Sequence, residues 1–316
     1  MPSRSTSSVH IGVPVALIVG SCMSLQFGAA LAVQLFPDLG TWGVTSLRLT
    51  IAALVLVIIA RPRVMSYTRD QWIAIGWFGV SLAGMNGFFY ASLAWLPLGP
   101  AVALEFIGPL LLAALLTRQR VDVAWVGLAA VGVALFGIDS AIGSEPLNLL
   151  GVGLVLIAAV FWMLYIRASA RVGSTIPGIG GLAMALVVAS VLLIPFGVPT
   201  ITTLVSRPEL LWLAVGTAIF ASVVPYTLEL SALRRLPQRV FGVLISLEPV
   251  FAALFGWILL AQNIGAMKIA GIALIVAASI GIALAARGKT NPQLDRVLTG
   301  AIPTVTGALP IVSRDD

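Results

Sequence analysis

The stretch Leu96-Pro97-Leu98-Gly99-Pro100-Ala101-Val102-Ala103-Leu104-Glu105-Phe106-Ile107-Gly108-Pro109-Leu110-Leu111-Leu112-Ala113-Ala114-Leu115 holds a single carboxylate. Its apolar length matches one bilayer crossing, roughly 20 residues. Leu236-Pro237, leading to Glu248-Pro249 and then Ala252-Ala253-Leu254, repeats its outline. Pro97 to Pro109 and Pro237 to Pro249 are both 12 residues apart, and the offset between the pairs is 140 residues, near half of the apolar part. Identity this sparse also arises by chance in an apolar chain. The number of spans decides between the two readings.

Working outward, apolar runs bounded by charges, prolines and polar turns mark ten helices: 13–33, 42–60, 72–92, 98–117, 123–138, 148–166, 176–196, 210–232, 240–261 and 266–286. The fifth is slightly short for a full crossing. The composition agrees, with 59% of the 316 residues hydrophobic and 9% charged, against about 25% charged in a soluble domain. Mean hydropathy is +1.08. A soluble enzyme, a nucleic-acid binder and a disordered chain are excluded. The first run follows a tail carrying only Arg4 and lacks a convincing cleavage site, so it reads as a retained span.

A net charge of +6 would suggest a nucleic-acid partner in a soluble protein. Here the basic residues sort by side of the membrane. With the N-terminus inside, 15 of the 18 Lys and Arg fall on the inner side and only Arg207 and Lys268 on the outer side, while Arg48 lies within a span. That separation is topogenic. Ten spans with both termini cytoplasmic follow, and residues 289–316 read as a flexible cytoplasmic tail. Five spans per half is an odd number, so the second half enters from the opposite face. The expected fold is all-α, an integral membrane protein of ten transmembrane helices in an inverted 5+5 repeat, 13–138 and 139–288, after a cytoplasmic arm at 1–12. Many secondary transporters bind substrate near the midplane between such repeats.

Charge inside a span costs a few kcal/mol unless paired or wetted, so Arg48, Glu105, Glu229 and Glu248 are the informative residues. At 1.5 Å per residue, Arg48 lies about 9 Å and Glu105 about 10 Å below the outer ends of their spans. Asn86 and Gln26 fall at about the same depth. Glu248 is nearer the middle, and Glu229 is about 5 Å from the inner end of the eighth span. Arg48 and Glu105 have two readings, mutual neutralisation as an ion pair or a binding role. Glu229 is placed to snorkel toward Arg234 and Arg235. Glu248 has no partner in sequence, which favours a protonatable or substrate-contacting role. Asn86 and Gln26 serve either as interhelical glue or as ligands. Tyr90, Trp162, Tyr165 and Tyr226 face either substrate or the membrane interface. Pro109, Pro225 and Pro249 each remove a backbone hydrogen bond inside a span and free a carbonyl to line a cavity.

Other chemistry finds little support. Cys22 is the only cysteine and His10 the only histidine, which excludes an internal disulfide and leaves almost nothing for a metal site or a Ser-His-Asp triad. There is no Walker loop, so ATP is not the direct energy source, and Pro177-Gly178-Ile179-Gly180-Gly181 lacks the strand context of a dinucleotide site. No HExxH or pair of intramembrane aspartates suggests a protease, and a channel filter usually needs polar rings from several subunits.

Two groups of strings resemble a known family. In the first half they are Val44-Thr45-Ser46-Leu47-Arg48-Leu49, Gly84-Met85-Asn86, Pro97-Leu98-Gly99, Ala101-Val102-Ala103-Leu104-Glu105-Phe106 and Gly108-Pro109. In the second they are Val224-Pro225-Tyr226-Thr227-Leu228-Glu229, Leu236-Pro237, Arg239-Val240-Phe241-Gly242 and Ser246-Leu247-Glu248-Pro249. They resemble the EamA-type branch of the drug/metabolite transporter superfamily, over about residues 13–288. The resemblance implies a five-plus-five inverted repeat, proton-coupled efflux by antiport, and small amino acids such as threonine or homoserine as substrates. One departure matters: the family commonly has Gly-Glu at the end of the ninth helix, and this chain has Ala261-Gln262.

The expectation is a secondary exporter in the cytoplasmic (inner) membrane, not an enzyme, with no cofactor or metal. Arg48, Glu105, Asn86, Gln26, Tyr90 and Tyr226 would contact substrate, and Glu248, Glu105 and Glu229 would carry the exchanged proton. Its partners would be a small amino acid, protons, the lipid bilayer and, as an open option, a second copy in a homodimer. Efflux of another metabolite or of a drug-like amphiphile, or a passive channel, are the alternatives.

Overall fold

The structure, a computed structural model, describes residues 12–116, 120–142, 148–233, 244–263 and 265–285. The N-terminal arm, the tail and the Arg234-Arg235 pair lie outside the described residues. The described elements are α1 (Gly12–Ala60), a 3-10 turn (Val64–Ser66), α2 (Arg69–Ser92), α3 (Leu98–Glu105), α4 (Ile107–Leu116), α5 (Arg120–Ile142), α6 (Leu149–Thr175), α7 (Gly180–Gly197), α8 (Thr200–Ser206), α9 (Leu210–Ala218), a π-helical turn (Ile219–Val223), α10 (Val224–Leu233), α11 (Glu248–Leu260) and α12 (Ala266–Ala285).

Among the described residues these elements match the ten apolar runs, the ninth only from residue 244 onward. Among the described residues, Val15–Ala60, Arg69–Ser92, Leu149–Thr175, Gly180–Gly197 and Leu210–Glu229 are long and apolar enough to cross a membrane, and the first, at 46 residues, is long enough for two crossings. The shorter apolar helices Leu98–Leu112, Val123–Phe136, Glu248–Leu260 and Ala266–Gly281 supply the other four. The apolar part of the fifth run, Val123–Phe136, is short for a crossing. Its helix continues past 138 to Ile142 and has 23 residues.

The two crossings of α1 are separated at Gly40, whose φ of 67° and ψ of 161° suit glycine and interrupt the helix three residues after Pro37. Side-chain contacts show that the chain reverses there. Ser24 Oγ donates to the Phe220 carbonyl and Arg48 Nη1 to the Ala221 carbonyl, so residues 24 and 48 reach the same level of the bundle. In one straight helix they would stand about 36 Å apart.

Two further interruptions have proline as their cause. Pro109 lacks the amide hydrogen that would bond the Glu105 carbonyl, and the helix breaks at Phe106, between α3 and α4. Pro249 does the same to Ile245, and the chain turns at Ser246-Leu247 before α11 begins at Glu248. Phe106 and Ser246 are 140 residues apart, the same offset as the proline pairs. Paired broken helices at matching positions of two halves point to a binding region. Glu105 closes one half-helix and Glu248 opens the other.

The surface and interior have the sidedness of a bilayer protein. Ile58, Leu149, Val205, Trp212 and Trp257 are exposed, whereas Gln26, Arg48, Asn86, Glu105 and Glu248 are buried. Helix ends are capped from nearby sequence. Thr68 and Gln71 form a capping box on α2, and Asn148 Oδ1 accepts from Leu150 N at 2.8 Å to start α6. Pro97 gives α3 no side-chain cap, and Gln262, 164 residues away, supplies it: Leu98 N donates to Gln262 Oε1 at 3.0 Å. Gln262 is set there by the end of α11. Ala261 adopts the left-handed region at φ 50°, and Gln262 N donates back to the Gly256 carbonyl at 3.0 Å. Glycine takes that conformation without strain, which gives a physical reason for the family's usual Gly at this place.

Candidate functional site

The site is built around Arg48, in the second crossing of α1 and 3% exposed. Nη1 donates to the Ala221 carbonyl at 2.9 Å and to Ser222 Oγ at 3.2 Å. Nη2 donates to Asn86 Oδ1. The Asn86 amide is held for that task, since its Nδ2 donates to the Leu82 carbonyl at 2.8 Å. Tyr90, one turn further along α2, places its ring 4.6 Å from the guanidinium carbon, close enough for a cation–π contact. The i, i+4 spacing of Asn86 and Tyr90 puts both on one face of α2.

Every one of these partners is neutral. Among the described residues no carboxylate bonds to Arg48, and the ion pairs formed are Arg207 with Asp38 and Glu209, and Lys268 with Asp139. Arg48 Nε is buried and unbonded, as are Tyr90 Oη and Gln26 Oε1. Buried polar atoms without a partner carry a cost of about 1–3 kcal/mol each, so three of them invite a ligand or water.

Glu105 and Glu248 lie at the helix breaks and Glu229 lies on α10. Glu105 is 8% exposed at the end of α3, within electrostatic range of Arg48 without touching it. Glu248 is 6% exposed in the first turn of α11, within electrostatic range of Glu229 and Glu105. Neither Glu105 nor Glu248 has a hydrogen-bond partner among the described residues. Glu229 accepts from Ser21 Oγ at 2.7 Å. Cys22 is buried between the electrostatic fields of Glu248 and Glu229, its Sγ 4.0 Å from the Leu244 carbonyl. Tyr226 lies within electrostatic range of Arg48, Glu229, Tyr90 and Glu248.

Among the described residues, the region therefore offers a buried cation lacking an anion and buried acids lacking a cation. Comparison with known proteins gives it a setting. Residues 149–284 match the EamA-like transporter family. The chain is 36% identical over 293 residues to the threonine/homoserine exporter RhtA of Salmonella typhimurium, covering 93% of this chain and 98% of that protein. It is 35% identical over 293 residues to the threonine/homoserine exporter RhtA of Escherichia coli, covering 91% and 97%. This chain belongs to the EamA family. A solved crystal structure 22% identical in sequence superposes with a TM-score of 0.58, over 86% of this chain and 97% of that one, and shares the fold.

Against this EamA-family frame, the residues singled out from the sequence divide into groups. Arg48, Asn86 and Tyr90 meet directly, Tyr226 is within electrostatic range of that cluster, and Glu105, Glu229 and Glu248 form the acidic side. Gln26 is buried but touches none of them by a hydrogen bond. The ion-pair reading of Arg48 and Glu105 is not realised, because the Ala221 carbonyl, Ser222 and Asn86 occupy the guanidinium. The snorkelling partners read for Glu229, Arg234 and Arg235, lie outside the described residues, and Ser21 is its partner among those described. Trp162 packs on Phe106 at the helix break, with ring centroids 4.9 Å apart, and Tyr165 packs against Phe78 at 5.3 Å.

Sequence reasoning missed Ser21, Ser222 and the Ala221 carbonyl. A signal for the last was present: Ala221 stands four residues before Pro225. It also counted Lys268 with the outer-side charges, whereas Lys268 is 5% exposed and lies 3.4 Å from Asp139. Ending the fifth span at 138 left that aspartate outside it.

Proposed function

We propose that this EamA-family chain is a secondary exporter of small amino acids, threonine- or homoserine-like, working by proton antiport and alternating access. The observation that carries the substrate class is the charge mismatch of the site. Arg48 has only neutral partners and an unbonded Nε, while Glu105 is buried without a bonded cation. A zwitterion completes both. Its α-carboxylate meets Arg48 and its α-ammonium meets Glu105, which removes two uncompensated charges from low dielectric at once. The relatives' names as threonine/homoserine exporters support the same class.

Proton coupling follows from the acids. When substrate leaves, Glu105 loses its cation, and Glu248 and Glu229 share a region with it. Binding protons neutralises these carboxylates, and crossing between states is least costly when the site is neutral, loaded with either substrate or protons. The distribution of Lys and Arg supports both termini on the cytoplasmic side of the inner membrane.

Everted membrane vesicles test this reading. With a panel of radiolabelled amino acids, the wild type accumulates threonine or homoserine against its gradient, an uncoupler abolishes accumulation, and Glu105→Gln removes it. Downhill equilibration insensitive to the uncoupler would favour a passive channel. Transport of apolar amphiphiles with Arg48→Ala fully active would favour a drug-type pump.

A further inference from the structure

Pro225 stands three residues beyond Ser222, and its missing amide hydrogen reaches further than a kink. Val224 N donates to the Ile219 carbonyl, five residues back, so the helix is in π register as it arrives at position 225. The carbonyls five and four residues before Pro225 belong to Phe220 and Ala221. Proline can bond neither.

Both carbonyls accept from side chains of α1. The Phe220 carbonyl accepts from Ser24 Oγ at 2.7 Å and the Ala221 carbonyl from Arg48 Nη1 at 2.9 Å. The approach is close because residue 28 of α1 is glycine. A Cβ there would stand 2.8 Å from Ala221 Cβ and 2.8 Å from the Phe220 carbonyl carbon. Ser222 Oγ completes the seat at 3.2 Å from Nη1.

We infer that Pro225 is a positioning residue for Arg48: by withholding the amide four residues on from the Ala221 carbonyl, it seats the guanidinium so that Nε stays unbonded for the substrate carboxylate. The inference rests on the reading that Arg48 holds that carboxylate. Pro225→Ala restores the amide. In α register the restored amide competes for the Ala221 carbonyl, and Arg48 loses its backbone acceptor. The expected rise in apparent KM corresponds to one hydrogen bond, roughly three- to tenfold.

A double-mutant cycle in proteoliposomes tests it, reading apparent KM and maximal rate for threonine with wild type, Pro225→Ala, Arg48→Lys and the double variant, together with melting temperature. Expected is a rise in KM for Pro225→Ala larger than the fall in rate, a melting temperature no lower than wild type because a helical hydrogen bond has been added, and no further rise in KM when Arg48 is already lysine. Additive effects on KM, or a KM rise accompanied by a lowered melting temperature, overturn the role given to Pro225. Wild-type KM in Arg48→Lys overturns the carboxylate assignment itself, and with it this inference, so the two failures are told apart.

Discussion

Arg48 and Glu105 are opposite charges buried in the same half of the bundle, and they do not bond. Arg48 Nη1 and Nη2 are spent on the Ala221 carbonyl, Ser222 and Asn86, while Glu105 sits at the end of a broken helix with no hydrogen bond among the described residues. A structural ion pair tolerates reversal, because the two charges still meet. A binding pair does not, because each charge must face its own end of the ligand. Arg48→Glu with Glu105→Arg is therefore expected to remain inactive in vesicle transport, as do Arg48→Gln and Glu105→Gln singly. Recovery of transport in the swapped protein would return the pair to a structural role.

Gln26 gives a prediction in which stability and transport move apart. It is 3% exposed, and its Oε1 has no partner. Cys22, Ala29 and Ala30 on the same face of α1 are also buried, which turns that face inward. Replacing an unsatisfied buried amide by an apolar group of similar size recovers about 1–3 kcal/mol. Gln26→Leu is expected to raise the thermal midpoint of the purified protein and to lower amino-acid export. A lowered midpoint would mean that Gln26 is bonded in the folded protein and serves as glue between helices.

The Gln262 cap joins the end of α11 to the start of α3, the two half-helices that flank the site. Losing an N-cap costs about 1 kcal/mol, so Gln262→Ala should lower the thermal midpoint by a few degrees. Gln262→Glu, which restores the residue usual in the family, keeps the acceptor and adds an anion at a helix N-terminus, a gain of about 0.3–1 kcal/mol. Equal midpoints for all three proteins would remove the cap from the account.

Lys268 and Asp139 make the contrasting case of charges that do pair. Their separation is 3.4 Å, with side-chain exposures of 6% and 20%. Removing one partner of a buried pair costs about 3–5 kcal/mol, and the partial exposure of Asp139 reduces that to about 1–3 kcal/mol. Lys268→Met should destabilise by this amount, and Asp139→Leu added to it should restore most of the loss while KM for substrate stays at the wild-type value. A changed KM would bring this pair into the transport path.

Most of the architecture was legible because lipid imposes it. A helix in hydrocarbon satisfies its own backbone, so apolar length alone marks α2, α6 and α7, and prolines mark where α3 ends and α11 begins. Arg48, Glu105 and Glu248 were legible for the same reason, since a charge in a span is costly enough to need a purpose. What depth along a helix does not give is rotation about its axis. Arg48 turned toward Ala221 and Asn86 instead of Glu105, and Ser21 toward Glu229, for reasons held in helix packing. Gly28 against Ala221 is the clearest of these, and it acts between segments nearly 200 residues apart in sequence.

The most direct test of the site is binding of threonine, threonine methyl ester and N-acetylthreonine to purified wild-type, Arg48→Gln and Glu105→Gln proteins by calorimetry. The ester lacks the carboxylate and the acetyl derivative lacks the ammonium. In the wild type each truncation should weaken binding by at least about tenfold, the loss of one charged hydrogen bond. The ester's penalty should vanish only in Arg48→Gln, and the acetyl derivative's only in Glu105→Gln. Penalties that persist unchanged in both variants would contradict the assignment of these two residues to the two ends of the substrate.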